Sequence, residues 1–194
     1  MGRPAKREQL VETAKRLFYR DGIRATGVDR VLEEAGVARM TLYNHFPGKE
    51  DLVLAALESR SEEFRGWFLG EVERRTLDPR GRLLAVFDVL DDWIRGETAG
   101  AGFAGCAFIR AASEFAEPDD PVHRLAAAHK AAFRRDLGGL ARAAGAAAPE
   151  ELAAALLLLV DGAIVTAQVS GDLEAAGQAR ALAQLALAEA LPAA

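Results

Sequence analysis

The chain has 194 residues, a formal net charge of -5 and an aromatic content of only 7%. It is long enough to bury a substantial core, and its many Ala, Leu and Arg residues favour packed helices over a sheet, so we predict an all-α fold. A single cysteine, Cys106, excludes a disulfide within the chain, and the longest apolar run, 152–160, ends at Asp161, short of the ~20 residues of a membrane span. We therefore expect a cytoplasmic protein that makes no membrane contact.

The charge is distributed unevenly along the chain. Residues 1–50 contain ten cations and seven anions, whereas the remaining residues contain fourteen cations and twenty-two anions. Because double-stranded DNA is a line of negative charge, this asymmetry predicts a basic N-terminal module that contacts DNA and an acidic body that stays away from it.

Apolar spacing predicts the first two helices. Helix one follows from a helical repeat that ends at Gly22, formed by Leu10, Ala14, Leu17 and Phe18. The segment from Thr26 to Asp29 has the form of a capping box, in which both side chains would accept hydrogen bonds from free amides at the start of helix two. Helix two would then turn four residues inward, Val28, Val31, Leu32 and Ala35.

A third, short helix completes a helix-turn-helix. Gly36 supplies the sharp turn, and a helix from about residue 38 to 45 would bury Leu42 and Phe46. The other residues of this helix would then lie on or near its exposed side: Arg39, Met40, Thr41, Tyr43 and Asn44. Asn pairs with adenine, Arg with guanine or phosphate, and Thr or Met contacts the thymine methyl group, so this face suits the major groove. The alternative is an ordinary solvated helix face.

The sequence VARMTLYNHFPGKEDL, residues 37–52, resembles the signature of the tetracycline-repressor (TetR/AcrR) family. The preceding ATGVDRVLEEAG segment is similar to the rest of that family's DNA-binding domain, and the resemblance covers about residues 5–55. It implies that Tyr43 and Lys49 hold phosphates, that Thr26 caps its helix beside the DNA backbone, and that bases are read by Arg39, Met40, Thr41 and Asn44. Ala38 stands where many members have Ser, which weakens the expected cap of the recognition helix.

The remainder of the chain is predicted to be a larger helical body. A long helix opens at Lys49 and runs to about Arg75, and further helices are expected near 79–96, 104–116, 121–144, 150–170 and 172–191, for about nine in all. We therefore expect a DNA-binding domain over residues 1–50 and a ligand-binding and dimerisation domain over residues 51–194.

The family resemblance implies a pocket for an unknown small-molecule effector in this body, and large aromatic side chains gather there. Each of them could equally belong to the core. The candidate pocket residues are Trp67, Phe68, Phe87, Trp93, Phe103, Cys106, Phe108, Arg110 and Phe133.

The last two predicted helices are rich in Leu and Ala, with Gly162 and Ala163 allowing close approach. Paired with their copies in a second subunit, they would form a four-helix bundle and give a homodimer on palindromic operator DNA. A core within one chain is the alternative.

Three competing functions are weaker. The segment from Gly100 to Gly105 matches G-x-G-x-x-G, but a dinucleotide site needs a preceding strand and none is predicted. No nucleophile elbow or zinc-type ligand spacing occurs, so we expect no enzyme, no catalytic residues, no cofactor and no metal. Cys106 could act as a redox sensor, although a buried inert thiol is the simpler interpretation. A transcriptional activator would share the same N-terminal residues.

The basic segment 2–7 could add a contact by entering a minor groove.

Overall fold

The computed structural model describes residues 6–97 and 102–191, so most of the predicted basic arm and the first two residues of the G-x-G-x-x-G match lie outside the described residues. The described part of the chain is all-helical and contains nine helices and no strand. They are α1 (Lys6–Asp21), α2 (Val28–Ala35), α3 (Arg39–His45), α4 (Lys49–Arg75), α5 (Pro79–Arg95), α6 (Ala107–Glu114), α7 (Pro121–Ala143), α8 (Pro149–Ser170) and α9 (Ala175–Ala190). The predicted fold class is confirmed.

The first three helices pack on one another as the helix-turn-helix prediction requires. The four apolar residues predicted to form the inner face of α1 are all buried. Gly22 (φ +95°) and Gly36 (φ +60°) both have left-handed backbone, which a residue with a side chain rarely adopts. These two glycines end α1 and α2 and allow the chain to reverse within a few residues.

The predicted capping box at the start of α2 is wrong. Gly27, not Thr26, is the N-cap residue, and no side chain caps the helix. Thr26 is buried, and its hydroxyl donates to the Gly22 carbonyl at 2.7 Å, while the Asp29 carboxylate pairs with Arg39 instead. The chain therefore closes the α1–α2 turn with the threonine and leaves the first amides of α2 without a side-chain acceptor.

By their internal contacts the described residues form two compact units. The first combines residues up to 63 with residues 107–129, and the second combines residues 64–106 and 130 onward. Both α4 and α7 therefore contribute residues to each unit, and α6 belongs to the unit that contains the recognition helix. The domain boundary near residue 50 stays a prediction about which part of the chain folds independently.

The second unit is built on α5, α8 and α9, which pack against each other. Alanines on the buried face of α9 allow this close packing: Ala175, Ala176, Ala179 and Ala183. Within α8, Asp161 pairs with Lys130. The helix continues to Ser170 as predicted, so Asp161 interrupts the apolar run without ending the helix. By length and composition alone, α8 is a helix that could cross a membrane.

Candidate nucleic-acid interface

The short helix α3 presents the predicted base-reading side chains on one side. Leu42 and Phe46, the residue just after α3, are buried and fix the helix to its neighbours. Met40 is 71% exposed and Tyr43 is 47% exposed, whereas Thr41 is half-buried. Arg39 and Asn44 are also exposed. The structure thus brings together five polar or flexible side chains on a helix thin enough to enter a major groove.

This helix is intrinsically weak. It has seven residues, no acidic residue in its first turn and an N-cap residue, Ala38, that makes no side-chain hydrogen bond. Such a short helix is unstable by itself in water, so tertiary packing must hold it. That packing comes from Leu42 and Phe46 and, in the turn before the helix, from the buried Val37. The weak cap expected from Ala38 is therefore confirmed.

Lys49 is half-buried rather than fully open to solvent. Its ammonium group donates to the Ile23 carbonyl at 2.7 Å. Burial lowers the pKa of Lys49, the charge of Glu114 opposes this effect, and Arg24 adds to it. The side chain thus links the start of α4 to the α1–α2 turn. Its remaining N–H groups could bind DNA.

The α1–α2 turn is also held by a carboxylate from far along the chain. Glu114, the last residue of α6, accepts hydrogen bonds from the backbone amides of Ile23 at 3.0 Å and Arg24 at 2.6 Å. The Arg24 guanidinium donates back to the Glu114 carbonyl at 2.7 Å and lies 4.8 Å from the ring of Phe115. One turn earlier on α6, Arg110 donates to the Tyr19 carbonyl at 2.6 Å.

Sequence reasoning missed Glu114, and no local pattern could have revealed it. Its acceptor oxygens bind backbone amides about 90 positions earlier in the chain, and backbone amides carry no sequence signal. The consequence is that α6 and the DNA-binding helices are joined by hydrogen bonds to a charged acceptor, which are about twice as strong as neutral ones.

The predicted ligand-site residues are divided between the two units. Phe108 and Arg110 lie in the unit that contains α3, and the other seven candidates lie in the second unit. In the second unit Phe68 and Phe133 meet edge to face with ring centroids 5.3 Å apart, and Trp93 and Phe103 do so at 5.0 Å. Phe87 and Cys106 are buried as well.

Phe64 was missed, although it stands at the centre of this aromatic cluster. Its ring lies 5.1 Å from that of Trp93, 5.6 Å from that of Phe68 and 5.7 Å from that of Trp67. The signal was present in the sequence, because residues four apart on a helix share a face, and Phe64 precedes Phe68 by four positions. The cluster therefore consists of Phe64, Trp67, Phe68, Trp93, Phe103 and Phe133.

In the first unit, Phe108 stacks on the buried His129 with ring centroids 3.5 Å apart, and the His129 Nδ1 atom lies 2.8 Å from the Ser61 hydroxyl. A cavity of about 20 Å³ lies beside Arg110 between α1, α4 and α6, which is room for about one water molecule. This cavity is too small for an effector, so the assignment of Phe108 and Arg110 to a ligand site stays a prediction.

Comparison with known proteins gives a consistent result. Residues 10–56 match the family model described as "Bacterial regulatory proteins, tetR family". The chain is similar to a TetR-family transcriptional regulator from Streptomyces coelicolor of known structure, with 32% identity, 96% of each chain covered and a TM-score of 0.84. A regulator structure from Streptomyces avermitilis gives 30% identity, a TM-score of 0.82 and coverage of 96% of this chain and 98% of that one.

Two curated regulators resemble about half of the chain or less. The transcriptional activator FasR from Mycolicibacterium smegmatis is 33% identical over 98 residues, which is 50% of this chain and 44% of that protein. The regulator ArpR from Pseudomonas putida is 38% identical over 88 residues, 43% of this chain and 42% of that protein. The matched region thus spans less than half the length of either relative.

Proposed function

Because the chain belongs to the TetR family of DNA-binding transcriptional regulators, we propose that it is a cytoplasmic repressor that binds a palindromic operator as a homodimer and leaves it when a small molecule binds. The observation that carries this proposal is the Glu114 connection. It ties α6 to the turn between α1 and α2, within the same unit as the recognition helix. A ligand that moves α6 would therefore act directly on the DNA-binding helices.

The exposed side of α3 supplies the sequence-reading contacts. Arg39, Met40, Thr41 and Asn44 face bases, and Tyr43 holds a phosphate with its exposed hydroxyl. Lys49 and the free amides at the start of α4 add a phosphate contact.

Thr26 does not have the role expected of it, a helix cap beside the DNA backbone. Its side chain is buried and bonded to Gly22, so it contributes by shaping the turn before α2.

The dimer forms through α8 and α9. Within the described residues these helices and the turn between them expose large apolar side chains: Leu158, Val165, Val169, Leu173, Leu182 and Leu185. Leu158 and Leu185 are 74% and 69% exposed, which is costly in water and favourable against a second copy of the same helices. Two-fold symmetry then places two recognition helices on successive major grooves, about 34 Å apart.

Ligand control follows from two places where the chain passes from one unit into the other, within α4 and just before α6. α4 begins at Lys49 and, in the second unit, supplies Phe64, Trp67 and Phe68 to the aromatic cluster. The segment that contains Phe103 leads directly into α6. An apolar effector that displaces these aromatic side chains would shift α4 and α6, and any differential affinity for the two states would weaken DNA binding.

The deciding experiment is a footprint of the purified protein on the DNA upstream of its own gene, repeated with a panel of small apolar molecules. We expect a symmetric protected site that overlaps the promoter and is lost with one class of compound. Calorimetry of that compound, with and without the operator, should give affinities that differ by about tenfold to a hundredfold. Equal affinities would contradict ligand release.

The activator named among the relatives makes activation the second candidate function. A protected site upstream of the promoter rather than over it, with transcription raised by the bound protein, would favour that alternative.

A further inference from the structure

The first residue of the recognition helix is held by an ion pair to which no role has been assigned so far. Arg39, the first residue of α3, pairs with the carboxylate of Asp29, the second residue of α2. We propose that Asp29 is a specificity-determining residue: it holds the Arg39 guanidinium in the orientation that reads a base. This inference rests on the proposed operator binding and goes beyond it, because Asp29 itself contacts no DNA base.

Arg39 is poorly placed for stabilising its own helix. A cation at a helix N-terminus faces the positive end of the helix dipole, and α3 has neither an acidic residue in its first turn nor a side-chain cap to offset it. The Asp29 carboxylate supplies the missing negative charge from the neighbouring helix. The arginine is therefore held at the leading end of the recognition helix, where residues of a helix-turn-helix reach base edges.

The pair also lies where DNA would cover it. The side chains of Arg39 and Asp29 are 59% and 78% exposed, and such solvated pairs are weak in the free protein. Docking on DNA removes water from this surface and strengthens the pair. A guanidinium that is held on one edge by a carboxylate keeps its remaining N–H groups in a fixed direction, which suits the two acceptors of guanine.

The same carboxylate has a second effect. A negative charge beside the groove repels phosphates on every sequence about equally, so D29N should also bind all duplexes somewhat more tightly. This repulsion lowers affinity without distinguishing sequences, so the specificity assigned to Asp29 comes from the orientation of Arg39 alone.

The test compares D29N with E33Q. Glu33 is an exposed residue of the same helix and shows no side-chain ion pair in the described part of the chain, so E33Q removes the same charge without releasing Arg39. Each protein is used to select duplexes from a random-sequence library. Its affinity is then measured for the wild-type consensus duplex and for a mixed-sequence duplex of equal length, and melting temperatures report folding.

We expect D29N to lose base preference at one position in each half-site and to lower the ratio of consensus to mixed-sequence affinity about tenfold. E33Q should keep the base preference and change this ratio less than twofold. The double variant R39A/D29N should show the same base preference at that position as the single variant R39A.

An unchanged base preference in D29N, an equal loss in E33Q, or a further change of preference in the R39A protein would overturn this inference. If the wild-type chain selects no sequence at all, the proposed function fails together with it. If the wild-type chain selects a site and D29N selects the same site, only the role of Asp29 fails.

Discussion

The connection between Glu114 and the α1–α2 turn leads to a quantitative prediction for E114Q. The carboxylate accepts one hydrogen bond from the Ile23 amide and one from the Arg24 amide. Glutamine keeps one acceptor oxygen and places an NH₂ group against the other amide. The variant therefore loses one of the two bonds and turns the other into a neutral one, while the bond from the Arg24 guanidinium to the Glu114 carbonyl is unaffected.

A hydrogen bond to a charged group contributes about 1.5–3 kcal/mol when it is shielded from water. Glu114 is half-buried and Arg24 is exposed, so we take the lower end, about 1.5 kcal/mol. This corresponds to about a tenfold increase in local opening of the turn. If the connection keeps the recognition helix in its binding position, operator affinity should fall by up to the same factor.

Hydrogen exchange followed by mass spectrometry can measure this directly in a peptide that covers residues 22–27. Exchange there should be about tenfold faster in E114Q, with α8 and α9 unchanged. The matched control is E117Q, which removes the same charge from an exposed residue just after α6. The reasoning is refuted if exchange in the turn is unchanged in E114Q, or if E117Q lowers operator affinity as much.

Three further outcomes can be checked. Tyr43→Ala should weaken binding to all duplexes about equally and reduce its salt dependence, whereas Asn44→Ala should relax base preference at one position per half-site; identical behaviour of the two variants in binding titrations would contradict the assigned roles. Leu185→Glu should weaken the dimer at least a hundredfold, since the side chain would be buried twice in a symmetric interface at about 1.5–3 kcal/mol each, and sedimentation that still shows a dimer would contradict this. Hydrogen bonds from arginines lower the pKa values of Asp21 and Glu34 below 3.8 and 4.5, so their stabilisation is complete above those values and is lost as the pH falls through the lower pKa values of the folded state. The urea midpoint should therefore drop between about pH 5 and pH 3, less steeply in high salt, and a midpoint that stays constant would refute it.

Much of the fold could be predicted from the sequence because helical periodicity is a local signal. The inner face of α1, the Gly36 turn and the two anchors of α3 all follow from local signals, and the structure confirms them. On α2 it confirms Val31, Leu32 and Ala35, whereas Val28 is only half-buried. The boundaries of the later helices agree within about three residues, and the largest differences are the later starts of α6 at Ala107 and α9 at Ala175.

The failures share a physical cause. A capping box is recognised by spacing alone, and the spacing does not reveal that Gly27 is the last non-helical residue or that Thr26 prefers a carbonyl in the preceding turn. The roles of Glu114 and Asp29 depend on partners brought close only by folding. Contacts between a side chain and a distant backbone amide leave no periodic pattern in the sequence.

The way α3 is anchored also bears on how this protein can change over generations. Its place in the fold is fixed by Leu42 and Phe46 from one side, while the opposite side carries side chains with little buried area. Replacing Met40 or Asn44 therefore costs little folding stability, since surface substitutions usually change it by less than about 0.5 kcal/mol. New operator preferences can then arise by single mutations without a compensating change elsewhere, and duplicated copies of such a gene can diverge toward different promoters while keeping one scaffold.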